Sequence, residues 1–119
     1  MVEKIVLDYL TTALNVPVYM EKPANEETSE YVVLELVGNQ ENNRVCSASI
    51  AAQSYGASLY DAAELNNDVV IAMDLFNANT NIGGCKMASS YNFTDTATKR
   101  YRYQSVFDIY YVKEDSING

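Results

Sequence analysis

RVCSASIAAQSYGASLYDAAELNNDVVIAMDLF, Arg44 to Phe76, changes its period halfway along. In the first half Cys46, Ala48, Ile50 and Ala52 alternate with Ser47, Ser49, Ala51 and Gln53, the period of a strand. After a Ser-Tyr-Gly corner, Leu59, Ala62, Ala63, Leu65, Asn66, Val69, Val70, Met73 and Phe76 recur every three or four residues, the broad apolar side of a helix. Ser58 is placed to cap that helix, and Asp61 sits where a carboxylate suits the positive end of the helix dipole. The stretch therefore predicts a strand running directly into the longest helix of the chain.

Upstream, Val2, Ile5, Val6, Tyr9, Leu10, Ala13 and Leu14 mark an amphipathic helix over Val2 to Leu14, with Leu7 off its core face. Asn15 and Pro17 stop it. Pro17 to Met20 reads as a short extended piece and Glu21 to Glu30 as a solvated acidic loop. Tyr31 to Val37 is a strand with Val32, Leu34 and Leu36 inward, joined to the central strand by a polar hairpin connection over Gly38 to Asn43. Downstream, Asn77 to Gly84 reads as a turn region. Lys86 to Ala88 and Tyr91 to Thr94 read as two short strands, and Lys99 to Val112 as one long strand with large side chains on both faces. The fold class this predicts is α+β: two layers, a mainly antiparallel or mixed sheet with two helices packed on it, in the order α-β-β-β-α-β-β, with room for a further strand. Residues 1–112 form one domain and 113–119 a loose tail.

Composition excludes several kinds of chemistry. The 119 residues include no histidine, which removes Ser-His and Cys-His mechanisms and the commonest zinc ligand. The net charge of −8 opposes electrostatic gripping of a phosphate backbone. Cys46 and Cys85 lack metal or redox spacing and read as free thiols. No apolar run is long enough to span a bilayer, and the chain reads as a soluble protein of the cytosol. Asp61, Glu64, Asp68 and Asp74 form a charged outer face of the long helix, and Asn66 on its apolar side calls for a backbone or tyrosine-hydroxyl partner. Asn92-Phe-Thr94 matches a glycosylation sequon by chance, and Gly83-Gly84 is a turn, not a phosphate loop. No catalytic, cofactor or metal site is expected, and the chain does not read as an enzyme.

Ten of the thirteen aromatic residues are tyrosines, a type enriched at interfaces. Tyr60, Ile71 and Leu75 fall off the core side of the long helix, and Tyr110 lies on the second face of the last strand. Tyr60, Ile71, Tyr103 and Tyr110 are the candidate subunit-interface anchors.

Five pieces in this order, Val16 to Tyr19 (VPVY), Tyr31 to Glu35 (YVVLE), Ser49 to Ser58 (SIAAQSYGAS), Ala62 to Val69 (AAELNNDV) and Arg100 to Tyr111 (RYRYQSVFDIYY), resemble the tail-terminator, or tail-completion, proteins of long-tailed bacteriophages. The resemblance runs over nearly the whole chain but consists of structural pieces, with no catalytic signature. It implies an α+β subunit of a ring, usually of six, that ends tail-tube polymerisation and offers the surface to which the filled head attaches. Implied partners are further copies of the chain, the tail-tube protein and a head-completion protein, with DNA passing through the lumen. The implied location is the virion neck, after assembly in the host cytoplasm. The alternatives are another neck component that binds the portal and a dimeric α+β ligand-binding module. An acidic, histidine-free enzyme resting on carboxylates or tyrosines is the third.

Overall fold

Ser58 caps the long helix as its position requires, its hydroxyl accepting from the Asp61 amide at 3.0 Å. The computed structural model describes residues 2–23, 30–42, 45–76, 83–97 and 100–112. In chain order these give α1 (Val2–Ala13), β1 (Val18–Tyr19), β2 (Tyr31–Asn42), β3 (Val45–Gly56), α2 (Leu59–Asp74), β4 (Gly84–Asn92) and β5 (Tyr101–Val112). The expected α+β order α-β-β-β-α-β-β is the observed one, and the sheet is mixed.

The strands lie in the order β1-β2-β3-β5-β4, with β1 parallel to β2 and every other pairing antiparallel. Both helices cover the same face. Val2, Val6 and Leu10 of α1 and Leu65, Val69, Ala72 and Met73 of α2 pack with Val32 and Leu34, Ala48, Ile50 and Ala52, and Phe107 and Ile109 into one core. Large apolar side chains thus fill the space between sheet and helices.

Gly56 makes the strand-to-helix corner possible. A Cβ there would stand 2.4 Å from the Ala62 nitrogen and 2.9 Å from the Ala62 Cα, so the start of α2 lies directly on the end of β3. The corner falls later than expected: Ser54, Tyr55 and Gly56 still pair with Tyr103, Arg102 and Tyr101.

Other boundaries shift for identifiable reasons. Gly38 to Asn42 is not a hairpin connection but the outer part of β2, paired with Val45 to Ser49 across a bulge at Val37. The polar side chains of Asn39 to Glu41 match the exposure of this ribbon; its backbone ladder needs no apolar residue. The two short strands expected after α2 are one strand, β4, with a bulge at Ala88 that breaks the alternation. On α1, Ile5 is exposed while Leu7 packs at the core's margin, so the buried stripe is rotated from the expected one. On α2, Leu59 in the first turn is exposed. Residues 24–29 of the acidic loop, 77–82 of the asparagine-rich turn and the 113–119 tail lie outside the described residues.

Candidate interaction surfaces

Tyr9 ties the two helices together. Its hydroxyl donates to the Ala72 carbonyl at 2.5 Å, and its ring meets Phe76 edge-on at 5.1 Å. Beside this tie the helices part, leaving an open groove of about 710 Å³. Leu14, Val16, Leu65 and Ala72 give it an apolar floor, with Tyr60, Ile71 and Leu75 among the exposed side chains that line it. Among the described residues the charged lining is Glu30, Asp61, Glu64 and Asp68, without lysine or arginine. The helical period explains the arrangement: 61, 64, 68, 71 and 75 follow one stripe of α2, so carboxylates and large apolar groups share it.

Among the described residues no helix covers the opposite face of the sheet. Its centre is nonetheless closed, because Tyr31, Val33 and Tyr55 form a second small core and Ala51 is fully buried. Tyr31 and Tyr55 are register partners whose rings stack at 4.6 Å between centroids. Arginines crown the stack: Arg100 lies 5.4 Å from the Tyr31 ring and 5.2 Å from the Tyr55 ring. Arg102 donates to the Tyr55 hydroxyl at 2.9 Å and to the Phe93 carbonyl at 2.7 Å, and it covers the Phe93 ring at 4.5 Å. Next along the face, Gln53 donates to Gln104 at 2.9 Å and Gln104 donates to the Tyr91 hydroxyl at 2.5 Å. Ser49 donates to Asp108 at 2.7 Å. These cross-strand bonds hold the outer polar face in one conformation.

The four candidate anchors are therefore divided. Tyr60 and Ile71 line the groove, at 72% and 53% exposure. Tyr110 is exposed on the far side, opposite Ser47 and Gly84. Tyr103 is half-buried and pairs with Ser54 and Asn92 on the helix-covered side, away from Tyr110. Sequence reading missed the contribution of α1 to the groove, which needs the crossing of two helices remote in sequence. It also missed the Tyr31–Tyr55 stack, for which only the alternation of Arg100 and Arg102 with tyrosines gave a signal.

Asn66 is satisfied by serines instead of backbone or tyrosine. It donates to Ser90 at 3.0 Å and accepts from Ser105 at 2.6 Å, while the two serine hydroxyls lie 2.9 Å apart. This closed triangle fastens α2 to β4 and β5. Cys46 and Cys85 are both free thiols, as their spacing indicated. Burial pushes the Cys85 thiol up to about 11, with Asp74 and Asp108 adding to the rise. Burial likewise raises the Tyr111 hydroxyl, helped by Cys46, Glu3 and Glu41. A thiol held protonated is a poor nucleophile. Among the described residues no three His, Cys, Asp or Glu side chains are grouped to hold a metal ion, and no helix is long and apolar enough to cross a membrane. Comparison with protein-family models and with characterised proteins finds no match.

Proposed function

We propose that the chain is a structural virion protein of a long-tailed phage, a subunit of the ring that ends tail-tube polymerisation and provides the head-attachment surface. The observation that carries the ring is the pair of unlike surfaces on opposite sides of the sheet, the carboxylate-lined groove and the aromatic and cationic outer face. A cyclic assembly joins one face of each subunit to a different face of the next, so it requires two unlike surfaces per subunit. The phage assignment rests on the five-piece resemblance, which spans both of these surfaces. The acidic balance agrees with a lumen through which DNA slides without being held. In this reading the protein is not an enzyme and needs no cofactor. Its partners are further copies of itself, the tube and a head-completion protein.

The test is light scattering of the purified protein with negative-stain imaging, alone and mixed with tail tubes. Open-centred rings, free or seated on tube ends, are expected. The Tyr110→Asp, Ile71→Asp double variant should fold, as judged by circular dichroism, and fail to assemble. Assembly of that variant at wild-type strength removes these residues from the interface. Binding to portal assemblies in place of tubes makes the protein a head-completion component, and a compact dimer without a lumen overturns the ring.

A further inference from the structure

We propose that the groove between α1 and α2 receives the Arg102–Phe93–Tyr91 knob on the outer sheet face of a second copy of the chain. This rests on the reading that copies assemble through unlike faces, and it names the two faces.

The groove is built for a partner that is apolar at its tip and cationic beside it. Leu14, Val16, Leu65 and Ala72 give its lining an apolar part, with the Asn15 amide beside them. Among the described residues the four carboxylates of its lining form no salt bridge, and the Lys4–Asp8 pair lies elsewhere on α1. Glu64 and Asp68 stand four residues apart and Asp61 three before Glu64, so like charges repel along one stripe of the helix. A cation seated there relieves that repulsion and gains most where water is excluded.

The matching chemistry lies on the other side of the same molecule. Phe93 and Tyr91 are exposed and pack edge to face at 5.7 Å, and the Arg102 guanidinium lies over the Phe93 ring at 4.5 Å. The hydrogen bonds of Arg102 to Phe93 and Tyr55, and of Gln104 to Tyr91, hold this knob rigid before any partner arrives. Preorganised arginine and aromatic side chains dominate binding energy at protein interfaces. Charge is also unequally divided: Lys22, Lys86, Arg100 and Arg102 lie on or over the outer sheet face against Glu35, Asp95 and Asp108, while among the described residues the charged groups of the groove are carboxylates alone. Two complementary surfaces on one chain make the chain its own partner.

Charge exchange tests this by sedimentation velocity at low ionic strength. The wild-type chain should associate, and more weakly as salt is added. The groove variant Glu64→Lys, Asp68→Lys should associate about tenfold or more weakly. So should the knob variant Lys86→Glu, Phe93→Glu, where the new carboxylate neutralises Arg102 in place. Both variants change exposed residues only. An equimolar mixture of the two should recover association as a mixed species, because each supplies the charge the other lacks. Glu21→Lys, Asp74→Lys matches the charge change of the groove variant away from the groove and should behave as wild type. Wild-type association indifferent to both variants overturns the proposal, as does a chain still monomeric at about 1 mM, where even a weak millimolar contact shows. Association through other faces refutes this pairing and leaves the ring standing. Groove-to-knob association that ignores tube ends does the reverse.

Discussion

Asn66 shows how one side chain on the wrong face of a helix becomes a fastener. Its amide gives one bond and takes one, and the third bond between Ser90 and Ser105 closes the set. Asn66→Ala removes two of the three and should lower stability by about 1–3 kcal/mol, read as a lower urea midpoint. An unchanged midpoint would mean that water takes over both partners at no cost. Cys85 makes a second residue-scale prediction. With its thiol near 11 against an ordinary 9.0, it holds on the order of 100-fold fewer thiolates at pH 8. Iodoacetamide labelling followed by peptide mapping should find it correspondingly slow in the folded chain and ordinary in urea. The folded state binds this proton more tightly than the unfolded one. The contribution to stability is therefore complete below pH 9 and is lost as pH rises toward 11.

At the scale of the element, the corner from β3 to α2 depends on Gly56. Gly56→Ala places a methyl group against the backbone of Asp61 and Ala62, which cannot swing aside as a side chain would. A loss of about 1–3 kcal/mol or more is expected in thermal unfolding, as for overpacking elsewhere. Gly38→Ala, which meets nothing within 4 Å, is the control that should leave the melting temperature nearly unchanged. The strand and helix around this corner were legible because apolar period and capping chemistry are local properties: Ile50, Val69 and Ser58 all sit where their spacing put them. The outer part of β2 was not, since Asn39 and Gln40 give the same composition in a loop as in an exposed ladder. Nor was the continuity of β4, where the bulge at Ala88 reverses which residues face the helices. Tyr60, Ile71 and Tyr110 were legible as exposed, but not as two surfaces, because that depends on which side of the sheet each element packs.

For the whole molecule, the helix layer gives the domain two chemically different sides. On one, α1 and α2 present carboxylates around an apolar trough; on the other, bare strands present arginine stacked on tyrosine and phenylalanine. In the proposed assembly such polarity would orient each subunit, aligning copies by charge before they touch. The same layer leaves the sheet with unequal edges. β1 is two residues long and follows Pro17, whereas β4 offers nine residues with one bulge and one lysine to protect them.

The strand order carries a consequence for how the chain is made. β5 lies between β3 and β4, yet both are synthesised before it. At about 5–20 residues per second, β3 waits several seconds on the ribosome for the neighbour that completes it. During that interval the side of Ile50 that Phe107 will later cover has no partner strand. Every nascent chain that stops short of Tyr101 thus lacks the strand that joins β4 to the rest of the sheet, because β4 pairs with β5 and not with β3.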